Sequence, residues 1–412
     1  MRNSIVLVKE KTNETSEYYK KLAIRISLYK YLLAIFIIVF IIYCFSNYKN
    51  EITIENFRYM LKFFDFSAST ATVDSGQIGL DLNKDYSATV LRSNIAVADS
   101  TGLTIYDYNG KKLLKSSFVM EYPYLTSSSK YVYAYDLGGS LLKIYNTYSE
   151  IYSITYEYPF LGLTNNANGA FGVISSGDNY KSAIIVYDKD FRQVFSRYFG
   201  DSYTVSIALN KYGNRVLSFM SGVNSGEYYG EVYEFDITQE EPVNKLRFVG
   251  EMPLKVAYGD DNSVMVLTSK ALRFYDASLN LRSEMFFSEK SPSTYHFSGK
   301  YAIMSYIIGS IRSTSEINIY DLSGNLVRTE SFQEDVQDIV VSEDKVYVLT
   351  YTKLHIIDIV NGKSGDSSFD VTNEANKLLI NDNNLVLISN ESAVVMVIKV
   401  IKSDEVSESL SE

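Results

Sequence analysis

Apolar positions fall along this chain in two distinct patterns. From Tyr31 to Phe45 they are continuous: fifteen residues without a charge or a proline. Past residue 80 they come as runs of about five residues, each ending in a polar turn. The continuous run falls just short of the roughly 20 residues that cross a bilayer as a helix. Leu28, Tyr29 and Lys30 before it, and Ser46, Asn47 and Tyr48 after it, supply the remainder. Lysine can snorkel to headgroups and tyrosine suits the interface. No polar face interrupts the run, which argues against a helix packed in a soluble core. A cleaved leader needs small residues at its cleavage site, and Cys44-Phe-Ser-Asn-Tyr-Lys49 has no such pattern. A lipoprotein signal needs small residues before the cysteine, yet Ile42 and Tyr43 precede Cys44. The expectation is an uncleaved signal anchor over residues 29–48.

Charge orients that anchor. Arg2, Lys9, Lys11, Lys20, Lys21, Arg25 and Lys30 precede the run against Glu10, Glu14 and Glu17, while the charges after it are mixed. Basic residues resist translocation. Residues 1–28 are therefore expected in the cytoplasm, and the rest of the chain outside it, in a single-pass cell-membrane topology.

The short runs repeat. Leu103-Thr-Ile-Tyr-Asp107, Leu142-Lys-Ile-Tyr-Asn146, Ile184-Ile-Val-Tyr-Asp188 and Val232-Tyr-Glu-Phe-Asp236 are followed by Leu272-Arg-Phe-Tyr-Asp276, Ile317-Asn-Ile-Tyr-Asp321 and Leu354-His-Ile-Ile-Asp358. A degenerate copy is Val394-Val-Met-Val-Ile-Lys399. Successive closing residues stand 39, 42, 48, 40, 45 and 37 positions apart. That period, with several short strands in each unit, marks an all-β fold of the WD40 or quinoprotein-like β-propeller kind. Eight blades are expected, with seven as the alternative. In the second unit the strands read as residues 124–127, 131–135, 141–145 and 151–156. Each closing aspartate is expected to accept backbone N–H groups of its own turn, as after Asp107 and Asp321, where Gly110 and Gly324 follow. The competing reading, a ring of catalytic carboxylates, would need side chains that the blades hold far apart.

The propeller is expected over residues 67–402, with a piece of 67–80 lending the last blade its missing strand, because an unpaired edge invites aggregation. Residues 49–66 read as a linker. The alternative is a short amphipathic helix, with apolar residues at 54, 57, 60, 61 and 64. Residues 403–412 carry four acids and read as an acidic, disordered tail.

Cys44 is the only cysteine and lies in the anchor, so no disulfide is expected; that suits a Gram-positive bacterial surface. The chain carries −10; residues 1–50 hold eight basic and three acidic groups, leaving −15 for residues 51–412. Such a surface repels nucleic acid, which is excluded as a partner.

Chemistry-bearing motifs are sparse. His296 and His355 stand alone, and no metal-binding pair of cysteines, phosphate loop or nucleophile elbow is present. The loops Gly259-Asp-Asp-Asn262 and Asn381-Asp-Asn-Asn384 read as turns rather than calcium loops. No catalytic residue, cofactor or metal is expected. One pattern points to binding. Segments leading into each innermost strand are aromatic, as in Glu121-Tyr-Pro-Tyr124, Glu157-Tyr-Pro-Phe160 and Tyr198-Phe-Gly-Asp-Ser-Tyr203. They share a face with polar loops at 177–182, 221–230 and 308–316. Tyr122, Tyr124, Tyr158, Phe160 and Tyr203 are the candidates for a partner-binding face, since tyrosine offers area and a hydroxyl at small entropy cost. The alternative is packing between blades.

The single anchor followed by a tyrosine- and glycine-rich propeller containing Tyr135-Asp-Leu-Gly-Gly139 resembles a family of membrane-anchored proteins of Gram-positive anaerobes, described as a domain of unknown function. The resemblance implies architecture and a bacterial membrane location, and carries no catalytic residues. The functional expectation is a recognition scaffold at the cell envelope with a protein or glycan partner. The alternative is a glycan-active hydrolase or lyase, which would need two carboxylates near the central channel.

Overall fold

The computed structural model describes residues 2–47, 77–79, 86–287, 292–308, 314–371, 375–381, 384–389 and 394–399. The expected linker at 49–66, the alternative amphipathic helix there and the acidic tail at 403–412 lie outside these residues. The chain divides into two compact units, residues 1–69 and 70–412.

In the first unit one helix, α1, runs from Arg2 to Asn47 without a break. No proline or glycine interrupts that stretch, so nothing in it stops the helix. The basic segment expected to end at residue 28 is thus continuous with the apolar one. Tyr18–Tyr43 is long and apolar enough to cross a membrane. Its 26 residues extend about 39 Å at 1.5 Å per residue, more than a hydrocarbon core requires.

The second unit is a β-propeller. Eight four-stranded antiparallel sheets are formed. Seven blades, the alternative count and not the eight expected, are self-contained, each built from four consecutive strands, over residues 87–117, 123–155, 160–199, 203–249, 253–286, 294–332 and 336–370. The remaining sheet is composite. Ala375–Asn381, Asn384–Ser389 and Val394–Lys399 are joined at the outer edge by Gln77–Gly79, which pairs Gln77 with Met396 and Gly79 with Val394. Ala375–Asn381 packs against Val336–Ser342 on one side and Ser87–Leu91 on the other, so the ring closes where the two ends of the repeat meet. In the second blade the strands are Pro123–Ser127, Val132–Asp136, Leu141–Tyr145 and Glu150–Thr155, within a residue or so of the sequence-based reading.

The strands of a blade are short and rich in β-branched and aromatic residues, and their alternate side chains face the two neighbouring blades. Hydrophobic clusters accordingly form between blades. Leu103, Ile105, Leu125, Val132 and Tyr145 belong to one wedge, and Met265, Leu272, Phe274, Met304 and Tyr320 to another.

The closing aspartates do the mechanical work expected of them. Asp107 Oδ1 accepts from Asn109 N and Lys111 N at 3.0 and 2.9 Å. Asp276 and Asp321 repeat the arrangement, and Asn146 substitutes its amide oxygen. The third residue after the aspartate takes a positive φ, supplied by Gly110 (80°) and Gly324 (82°) but also by Phe191 (62°) and Leu279 (60°). The strain at the non-glycine positions is offset by burial: Phe191 stacks on Tyr152 at 5.1 Å, and Leu279 sits in the core. Glycine is needed at 324, where a Cβ would lie 2.4 Å from Ser283 Cβ. Gly324→Ala is therefore expected to destabilise the ring by about 1–3 kcal/mol, read as a lower urea midpoint. An unchanged midpoint would mean the turn relaxes freely.

Candidate functional site

Two sets of loops share one face of the ring: those leading from each outermost strand to the next blade, and those joining the second and third strands. The motif Tyr135-Asp-Leu-Gly-Gly139 is the latch between them. Asp136 Oδ1 accepts from Tyr122 N at 2.8 Å, and Leu137 N donates to Tyr122 O at 2.9 Å. Gly138 N donates to Phe160 O at 2.8 Å and Phe160 N to Gly139 O at 2.7 Å, tying the second blade to the third. A Cβ on Gly139 would strike the Asp136 carboxylate at 2.1 Å, which explains the glycine.

The sequence candidates separate on this face. Tyr122, Tyr124 and Tyr203 are 62%, 49% and 55% exposed, and Tyr158 is half-buried. Phe160 is fully buried, which corrects its assignment to the binding face. It packs between Tyr135 and Tyr156, with ring centroids 6.1 and 4.5 Å away. Tyr124 joins the same chain from the surface end, 5.3 Å from Tyr135. Tyr158 and Tyr203 instead belong to a second cluster. Tyr158 meets Tyr180 edge-on at 6.1 Å, Tyr180 meets Tyr198 at 4.9 Å, and the Lys181 ammonium stands 5.3 Å from the Tyr203 ring.

Sequence reasoning missed Tyr180 and Tyr229. The signal was a glycine facing a tyrosine across a hairpin. Gly177 pairs with Tyr180 and Gly222 with Tyr229. A Cβ on either glycine would fall 2.2 or 2.5 Å from the tyrosine ring, so each ring lies flat over bare backbone. Tyr229 is then covered by the Arg247 guanidinium, 4.0 Å from its centroid. The hairpin carrying Gly222 and Tyr229, Arg215–Asn224 with Glu227–Asp236, has the longest strands of the ring.

Most exposed large apolar side chains of the ring lie at this end, Val119, Val223, Met252, Phe286, Ile307 and Tyr351 among them. Among the described residues the opposite end exposes fewer, chiefly Tyr212, Leu281, Leu326 and Val360.

The loop Gly259–Asn262 is an ordinary turn: Asp261 Oδ1 accepts from Ser263 N at 2.9 Å. In the second such loop, residues 382–383 lie outside the described residues. Among the described residues no group of three metal-ligating side chains occurs. His355 packs on Phe332 at 4.7 Å. His296 sits on the innermost strand Thr294–Phe297. Burial, with the nearby Lys255 charge and against a hydrogen bond to the Ile339 backbone, lowers its pKa to about 4.

The native state thus binds fewer protons at His296 than the unfolded chain between about pH 6.5 and 4, so stability is lost as pH falls through that window. The loss is about 1–3 kcal/mol. Asp338 on the next blade works the other way, its carboxyl raised by burial against hydrogen bonds from Leu378 N and Ile339 N. His296→Gln should therefore lose less stability than the natural chain between pH 7 and 4.5. Parallel pH profiles would place the imidazole in water.

Residues 70–398 match a family described as a family of unknown function, DUF5711. The chain belongs to the DUF5711 family. No curated protein matches it by sequence. Among solved structures, the C-terminal WD40 domain of Sif2 shares 12% identity over 80% of this chain and 98% of that one, with a TM-score of 0.58. BamB from Moraxella catarrhalis shares 14% over 79% and 98%, with a TM-score of 0.52. A eukaryotic initiation factor shares 14% over 76% and 87%, also at 0.52. At such identities the likeness is one of fold, and the DUF5711 ring is of the WD40 and BamB kind.

Proposed function

We propose that this DUF5711 protein is a membrane-tethered recognition scaffold whose aromatic loop face docks a protein partner outside the cytoplasm. The observation that carries the reading is the asymmetry between the two ends of the ring, with exposed apolar and aromatic groups gathered at one. Contiguous apolar surface of this kind marks interaction sites, and tyrosine and arginine are the residues that anchor them. The helix at Tyr18–Tyr43 supplies the tether, and the basic residues before it favour a cytoplasmic N-terminus. The chain enters the ring through Gln77–Gly79, an outermost strand whose antiparallel pairing starts it at the end opposite the aromatic loops. Propeller folds carry many functions, so the reading rests on the face and not on the fold.

Glycan hydrolysis finds less support. Paired carboxylates are required, and among the described residues the innermost strands hold one, Asp338, already engaged by two backbone N–H groups.

The test is crosslinking in intact cells from photoreactive groups placed at 122, 124 and 203. Stable partners should be captured there and not from a group at Tyr212. Replacing Tyr122, Tyr124 and Tyr203 together by serine should abolish capture while shifting the melting temperature by only about 2 °C, as surface substitutions do. Equal capture from both ends, or protection of the ring from protease in protoplasts, would overturn the proposal.

A further inference from the structure

On the second, third and fourth blades, the tyrosines of the loop face are each preceded closely by an acid. Glu121-Tyr122, Glu157-Tyr158 and Asp201-Ser-Tyr203 lie where the chain enters an innermost strand. Asp178-Asn-Tyr180 and Glu227-Tyr228 lie at hairpins joining a second strand to a third. All of these acids are exposed, and among the described residues none forms an ion pair. The contacts of Tyr158 with Tyr180, Tyr180 with Tyr198 and Lys181 with Tyr203 make the middle of this arc one surface. Tyr203 pairs with Ser221, which carries the arc onto the long hairpin of Tyr228. Burial, and then neighbouring charges with Asp178 and Glu157 among them, raises the Tyr158 and Tyr180 hydroxyls.

The rest of the ring differs. Glu251, before Met252, is held by Arg273 at 2.7 and 2.8 Å, and Glu334 accepts from Thr352 N at 2.9 Å. At the opposite end the residue before the tyrosine is basic, in Lys130-Tyr131, Lys211-Tyr212 and Lys300-Tyr301. The face also holds two cations of its own, and in the same manner. The Lys181 ammonium stands 5.3 Å from the Tyr203 ring while donating to Asp201 O at 3.1 Å. The Arg247 guanidinium stands 4.0 Å from the Tyr229 ring while its Nη1 donates to Glu231 at 3.2 Å. In each case one ring and one oxygen acceptor share a cationic head.

We infer that the aromatic face takes a basic segment of a protein partner, its lysine and arginine heads seated on tyrosine rings beside the preceding carboxylates. The inference rests on the docking role proposed above and adds the charge of what docks. A tyrosine face and a carboxylate attract the same cation, one through its quadrupole and the other through a charge-assisted hydrogen bond. Unpaired acids repel an acidic partner and speed the encounter with a basic one, so they select as well as attract. The far half of the face, where the acids are already engaged, supplies apolar contact without that selection.

The experiment uses the full chain in non-ionic detergent micelles. The probes are a synthetic Arg/Leu peptide, a Glu/Leu peptide of equal length and a soluble glucosamine polymer. The Arg/Leu peptide should bind, several-fold more weakly at physiological than at low salt, and the Glu/Leu peptide should not. Combining Glu157→Gln, Asp178→Asn and Asp201→Asn should weaken the Arg/Leu peptide several-fold and flatten its salt dependence, with the melting temperature unchanged. Tyr198→Leu, which keeps apolar area but removes a ring, should also weaken it. Equal binding of the two peptides, or tighter binding of the glucosamine polymer, would overturn the inference. In cells, the triple variant should lower photocapture from positions 122, 124 and 203 several-fold. Undiminished capture would leave the docking face standing and overturn its basic partner. No capture even by the natural chain would overturn the docking role and this inference with it.

Discussion

Arg273→Met is expected to lower the stability of the ring by about 3–5 kcal/mol, because it strands the buried Glu251 carboxylate beneath the loop face. Arg273 is buried on the third strand of the fifth blade. Its terminal nitrogens donate to both Glu251 oxygens, at 2.7 and 2.8 Å, and its Nε bonds Glu284. The guanidinium also lies 4.8 Å from the Phe248 ring. Burial would raise the Glu251 pKa, yet hydrogen bonds from Arg273 and Thr268 hold it below the ordinary value. A carboxylate lowered in this way contributes stability that is present above its unfolded pKa and is lost as pH falls through the folded one. The gap between natural chain and variant should therefore narrow in acid. Exchanging Arg273, Glu251 and Glu284 together for apolar residues should recover most of the loss. Glu251 neighbours Met252 on the loop face, so the single variant should also weaken partner capture. A loss below about 1 kcal/mol would mean that water takes over the carboxylates.

Phe160→Ala should cost a similar amount, about 3–5 kcal/mol, whereas Tyr122→Ser, one blade earlier in the same kind of loop, should cost under about 0.5 kcal/mol. Phe160 is wholly enclosed by Tyr135 and Tyr156, and its backbone carries the latch to Gly138 and Gly139. Truncation leaves a cavity that the interlocked sheets cannot close. Capture of a partner should follow the reverse order, lost with Tyr122 and its exposed neighbours and retained by whatever fraction of Phe160→Ala remains folded. Equal stability losses at the two positions would return Tyr122 to the packing between blades.

The periodic features were legible because each is local. Fifteen apolar residues in a row, a repeat of about 40 and an aspartate closing a strand are all properties of neighbouring residues, and each turned out as a continuous helix, a set of blades and a hydrogen-bonded turn. The candidate face was legible only in part. Glu121-Tyr-Pro-Tyr124 and Glu157-Tyr-Pro-Phe160 look alike in sequence, and both aromatic ends sit at the start of an innermost strand. Tyr124 nevertheless stays half in water while Phe160 is swallowed by its wedge: a bulge at Leu161 follows Phe160, whereas the strand carrying Tyr124 pairs without one. Tyr180 and Tyr229 escaped notice because their positions depend on glycines across a hairpin.

The sequence by itself determined the long apolar helix, the repeated sheet and the turn chemistry, since these follow from hydropathy and hydrogen bonding over a few residues. Ring closure needed more: Gln77–Gly79 meets Val394–Met396 across more than 300 positions. The same holds for which aromatics remain exposed. Those were decided only when eight sheets packed around one axis, because burial in a closed ring is set by the neighbour in space and not by the neighbour in the chain.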